Sequence, residues 1–206
     1  TLVHQAQVIT ESTLINEYLE DCYPEPSLLP KTAIERYQLR AFCKQLDDRL
    51  HPACGVITYA IGARPGLLTK PKAELAALIA QIPDEARRRH RAMVIQDGVH
   101  APIFATALAQ YLQVLNFAEA QLALTPFLAG TQLSLADYAL TPYVLRLEHL
   151  AMNTVMDRYP ALVAWHRAIQ QRDSYHVAIE NWLPKAAVAG FKAAGEAVIA
   201  EIRFPD

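Results

Sequence analysis

Apolar positions recur at helical spacing along most of the chain, and only the first ten residues follow another pattern. Leu2, Val3, Val8, Ile9 and Thr10 are β-formers around a short polar centre, which predicts a hairpin. Its centre, Gln5-Ala6, lacks the Gly or Asn that a primed two-residue turn favours, so the loop is either longer or strained. His4 falls at the hairpin tip and is expected on the surface. Ser12 then N-caps a helix reaching about Asp21, with Leu14, Ile15, Tyr18 and Leu19 on one face. Pro24, Pro26 and Pro30 end it in a connector, the one convincing domain boundary.

From Lys31 the pattern is helical, with breaks predicted at 64–71, at Pro83, and at 97–102, 125–134, 151–160 and 181–184. Pro52 falls inside the first stretch and predicts a kink, because it has no N–H to donate. Trp165 and Trp182 lie on apolar faces and are assigned to the core. The last helix, 185–202, puts Val188, Phe191, Gly195, Val198, Ile199 and Ile202 on one stripe. The fold class is therefore mainly α.

Composition agrees, since Ala and Leu dominate and there are only 7 glycines. The 19 basic and 21 acidic residues leave a net charge of −2, which supplies no field for a nucleic-acid partner. Cys22, Cys43 and Cys54 are odd in number and form no CxxC pair, so neither a disulfide framework nor a structural zinc site is expected; a reducing, cytoplasmic location fits. No apolar run reaches membrane-spanning length before a charge interrupts it, and no membrane partner is expected.

Two segments carry chemistry. In Val8-Ile9-Thr10-Glu11-Ser12-Thr13-Leu14 a strand runs into a helix start, where free N–H groups and a partial positive charge can hold a carboxylate on Ser12 while Glu11 faces an ammonium. Read without that chemistry, Ser12 is a cap and Glu11 a surface acid. In Phe127-Leu128-Ala129-Gly130-Thr131-Gln132-Leu133-Ser134-Leu135-Ala136-Asp137-Tyr138, Ser134 and Asp137 form a shortened capping box and Leu133 can staple onto Tyr138, a structural role.

Together, in this order and separated by a helical stretch, these segments resemble the glutathione transferase superfamily over nearly the whole chain. The run Lys44 to Gly62, Ile82-Pro83 and the stretch Arg88 to Met93 are similar to the bacterial glutathione-dependent β-etherases, which cleave aryl ethers of lignin fragments. The resemblance implies residues 1–23 as the C-terminal part of a thioredoxin-like glutathione-binding domain, 24–30 as the connector and 31–206 as an all-α transferase domain. It implies glutathione as co-substrate, a small hydrophobic aromatic substrate and a homodimer. Glu11 and Ser12 are then glutathione-binding, and Asp48 (or Asp47) reaches toward the ammonium across the dimer.

His51, Cys54 and Tyr59 lie on the helix that, by resemblance, lines the substrate pocket; core packing is the other reading of Cys54 and Tyr59, and the i, i+3 pair His51 and Cys54 has no third metal ligand. The family pattern places the cis-proline and the thiol-activating residue before Thr1, so no catalytic residue is assigned. A non-catalytic transferase-like interaction module is the alternative function. The run Arg87-Arg88-Arg89-His90-Arg91 follows Asp84 and Glu85 and reads as a solvated helix start.

Overall fold

The β-formers at the N-terminus form strands β1 (Leu2–His4) and β2 (Gln7–Ile9), paired antiparallel with Leu2 opposite Ile9 and His4 opposite Gln7. This is a computed structural model, and it describes residues 1–204; the end of the 31–206 unit at 205 and 206 lies outside the described residues. The hairpin loop has two residues, and the backbone takes the strain: Gln5 has φ 47° and Ala6 φ 63°, left-handed values normally left to Gly and Asn. Ala6→Gly is expected to stabilise the chain by about 1 kcal/mol, read as a higher urea midpoint at unchanged slope.

His4 is not the surface residue expected. Period-two alternation puts Leu2, His4 and Ile9 on the face toward the following helix, where His4 Nδ1 lies 2.8 Å from the Tyr18 hydroxyl. Val3 and Val8, on the other face, are 66% and 67% exposed.

Helix α1 (Ser12–Cys22) begins one residue earlier than a Ser12 cap requires. The chain turns out of β2 through Glu11, at φ 65° and ψ 112°, so Glu11 is the N-cap and Ser12 is already helical; no side chain caps the helix. α1 is tied to the body by a two-pronged ion pair, with Arg40 Nε and Nη2 donating to Glu17 at 2.8 and 2.7 Å. The same guanidinium holds the Glu17 carboxyl below its ordinary pKa. Buried Glu20 pins the connector, accepting from the Ser27 hydroxyl at 2.6 Å and from Leu28 N at 2.9 Å.

A capping box of Thr32 and Glu35 opens α2 (Ala33–Gln45), which continues as a π-helical turn (Leu46–Leu50), α3 (His51–Thr58), a second π turn (Tyr59–Ala63) and α4 (Arg64–Leu68). Pro52 and Pro65 each follow a π turn by two residues. A proline cannot donate and its ring crowds the carbonyl four residues back, and the wider turn relieves both. The interruption expected at Pro52 thus takes the form of a π turn, and the break expected at 64–71 starts only after Leu68.

After α5 (Lys72–Ala80) and α6 (Glu85–Asp97), left-handed Gly98 (φ 59°) turns the chain into α7 (Pro102–Leu122). α7 is the spine of the core, burying Leu108, Tyr111, Leu115 and Ala118 against α3 and against α10. α8 (Leu135–His149), α9 (Asn153–Met156), α10 (Pro160–Gln170), α11 (Asp173–Ala178) and α12 (Lys185–Val198) complete the body. The architecture is mainly α, a hairpin and helix followed by an all-α body.

Two details differ from expectation. An additional interruption at 171–172 separates α10 from α11. Trp182 is 80% exposed, because it lies on a single 3-10 turn (Glu180–Trp182) too short to own a buried face, whereas Trp165 on α10 is buried. Among the described residues no single helix is long and apolar enough to cross a membrane.

Candidate functional site

The first intrahelical bond of α1 is from Ile15 N to Glu11 O at 2.8 Å, which leaves the N–H groups of Ser12, Thr13 and Leu14 without a helical acceptor. Glu11 and Ser12 are exposed beside them. Thr13 Oγ1 donates to Asp47 Oδ2 at 2.7 Å, so the π turn Leu46–Leu50 brings Asp47 to the first turn of α1. Asp48, the neighbouring acid, turns to an ion pair with Lys44 instead. Thr13 carried no signal in the sequence, because its partner lies 34 residues away.

The three pocket residues do not come together. His51 is exposed, with Nδ1 3.3 Å from the Tyr143 hydroxyl of α8. Cys54, half-buried one turn on, has its Sγ 3.8 Å from Thr58 Oγ1, and burial pushes its thiol pKa up. Behind them fully buried Tyr111 donates to the Tyr143 carbonyl at 2.7 Å, and burial raises the Tyr143 phenol to about 12. With the Cys54 thiol and the Tyr143 phenol both pushed up, this cluster offers hydrogen-bonding groups and no ready anion.

Tyr59 faces elsewhere. Five residues from Cys54 it is turned by about 140° at 3.6 residues per turn, and it also opens the second π turn. Its ring lies under the Arg91 guanidinium, 2.9 Å from carbon to ring centre, and lines a cavity of about 440 Å³ between α4, α5 and α6. A larger open cavity of about 790 Å³ lies behind the connector, lined by Asn16, Tyr23, Tyr138 and Arg172, and takes in none of the residues singled out for binding.

Asp137, 0% exposed, is a hub. It accepts from Leu128 N at 3.0 Å, Ser134 N at 2.9 Å, the Ser134 hydroxyl at 2.7 Å and Trp165 Nε1 at 2.9 Å, joining the 125–134 loop, the start of α8 and α10. Burial raises its pKa, against the pull of these donors. Among the described residues no group of His, Cys, Asp and Glu is arranged to hold a metal ion.

Residues 85–173 match the family model described as glutathione S-transferase, C-terminal domain. The chain is 25% identical over 173 residues to glutathione S-transferase omega-1 of Rattus norvegicus, covering 81% of this chain and 54% of that protein. It is 38% identical over 65 residues to protein LigF of Sphingobium sp., covering 31% and 25% of the two chains. The crystal structure of the β-etherase LigF from Sphingobium sp. strain SYK-6 superposes with a TM-score of 0.74 at 24% identity, over 86% of this chain and 76% of that one, a likeness of fold.

Residues 85–173 are thus similar to the C-terminal domain of glutathione transferases, and β-etherase-like proteins are among the chain's relatives. It spans about half the length of the omega-1 transferases it matches.

Proposed function

We propose that the chain holds glutathione at the start of α1 and presents its thiol to a hydrophobic aromatic electrophile beside α3, for conjugation or ether cleavage. The observation that carries this reading is the left-handed Glu11. That conformation is costly for a residue with a side chain, and such strain collects where function needs it. Here it starts the helix abruptly, so that three free N–H groups and the Ser12 hydroxyl can meet the γ-glutamyl carboxylate. Glu11 is set beside them for the ammonium, with Asp48, or Asp47 through its hold on Thr13, adding negative charge.

Reach decides which residues can meet the thiol. A tripeptide extends about 11 Å at most. Beyond Asp47, His51 and Cys54 are about 6 and 10 Å along the helix and Tyr59 about 18 Å, at 1.5 Å per residue. His51 and Cys54 are thus assigned to the wall of the reacting site and Tyr59 is not. Ile34 and Tyr37 on α2 and Phe117 on α7 are exposed apolar residues that the homodimer expected of the family would cover.

Calorimetric titration with glutathione tests the reading. The chain should bind saturably, and Ser12→Ala should weaken binding roughly tenfold, the effect of losing one hydrogen bond to a charged group. Glu11→Gly should raise the thermal midpoint, because the left-handed strain is removed, and still weaken binding. A folded chain that gives no heat of binding would overturn the proposal and favour a non-catalytic interaction module.

A further inference from the structure

Resting on the assignment of His51 and Cys54 to the wall of the reacting site, we infer that the substrate is an aromatic acid, and that Arg146 of α8 binds its carboxylate at the end of the ring remote from the reacting carbon.

Helices α3 and α8 lie side by side and run the same way. His51 meets Tyr143 at the start of α3. Beyond the end of α3, a Cβ at Gly62 would lie 3.0 Å from the Leu150 side chain and 2.9 Å from the Phe191 ring of α12. Three residues on from the first pair, Cys54 follows His51 and Arg146 follows Tyr143. They form the next step of the wall, about 4.5 Å further along.

Arg146 is half-buried there, its guanidinium carbon 5.3 Å from the centre of the Phe191 ring. Among the described residues it has no carboxylate partner. Glu148, two residues away, turns instead to His166 Nε2 at 3.4 Å and Gln170 Nε2 at 3.1 Å. The groups close to Arg146 offer no counter-charge. Burial pushes up the Cys54 thiol and the Tyr111 phenol, with Arg146 drawing against both, and burial and Arg146 together lower His149.

A guanidinium so placed has given up water without gaining a partner, so an anion that reaches it gains more than on an exposed arginine. Its planar fork suits two parallel hydrogen bonds to a carboxylate, and its seat over Phe191 limits the rotation lost on binding. The other end of the wall carries the opposite sign, because Asp47 lies against the first turn of α1. An acid is thus repelled from the glutathione end and drawn to the far one, which sets the direction of the ring. A single ring with its acid para to the reacting carbon spans the interval.

The test is titration of the full chain with 4-(phenoxymethyl)benzoate, an aryl ether whose acid is para to the carbon a thiolate would attack, and with its uncharged amide. The acid should bind saturably and at least tenfold more tightly than the amide. R146Q should bring the acid down to the level of the amide. R146K keeps the charge but not the fork, and should weaken the acid about threefold; it also serves if R146Q does not fold. S-(4-carboxybenzyl)glutathione, the conjugate that attack would leave, should displace the acid.

Equal affinity for acid and amide, absence of saturable binding, indifference to both arginine substitutions, or a conjugate that binds without displacing the acid would each overturn the assignment. If the acid binds through Arg146 but neither glutathione nor its conjugate binds, the glutathione reading falls and the carboxylate subsite stands.

Discussion

Asp137→Ala is expected to lower the stability of the chain by about 3–5 kcal/mol, a large share of the 5–15 kcal/mol typical of a folded protein. The carboxylate is buried completely and takes four hydrogen bonds from three separate segments. Its removal strands the Leu128 and Ser134 amides, the Ser134 hydroxyl and the Trp165 indole N–H in a place water does not reach. Each such group costs about 1–3 kcal/mol, and the losses are not additive because one rearrangement can relieve several. Asp137→Asn keeps the shape but exchanges one acceptor oxygen for an NH₂, so an intermediate loss is expected. Urea unfolding followed by Trp165 fluorescence measures both, and a loss below 1 kcal/mol for the alanine variant would show that the hub is dispensable.

Gly195→Ala is expected to destabilise by about 2–4 kcal/mol, although alanine is the better helix former by about 1 kcal/mol. A Cβ at Gly195 would lie 1.8 Å from the Leu150 carbonyl oxygen and 2.5 Å from its carbon. These are backbone atoms at the end of α8, beside left-handed Ala151 (φ 53°), and no side-chain rotation can move them. α12 must lift away. Gly190 supplies the control, because a Cβ there meets nothing within 4 Å. Gly190→Ala should leave stability unchanged or raise it by up to about 1 kcal/mol. Thermal unfolding of the two variants side by side separates helix propensity from close packing.

Features that depend on residues near in sequence were legible beforehand, and those that depend on distant ones were not. Ser134 and Asp137 are three positions apart and read as a capping pair, but the indole of Trp165, 28 residues away, gives no sequence signal. The hairpin was readable from its β-formers around a polar centre, and the poor turn residues pointed to the strain that Gln5 and Ala6 carry. His4 and Trp182 were misplaced, one because α1 folds back over the hairpin and the other because its segment is a single turn.

The basic run at the start of α6 read as solvated. That describes Arg89, but Arg91 at the other end of the run is folded onto Tyr59. His51, Cys54 and Tyr59 are grouped by their place on one helix, but sharing a helix is not sharing a face: five residues after Cys54, Tyr59 is turned away by about 140°.

Those π turns have a further consequence. Each is equivalent to an α-helix with one residue added, and one residue is a phase change of about 100°. The rod from Ala33 to Leu68 is thus three α-helical segments out of phase with one another. One phase step lies at Asp47, which meets α1, and the other begins at Tyr59, which faces α6; His51 and Cys54 toward α8 belong to the segment between them. A single helix thereby addresses three neighbours that a uniform one could not face at once. Deleting one residue from either π turn would leave the composition almost untouched and rotate everything beyond it onto the wrong partner.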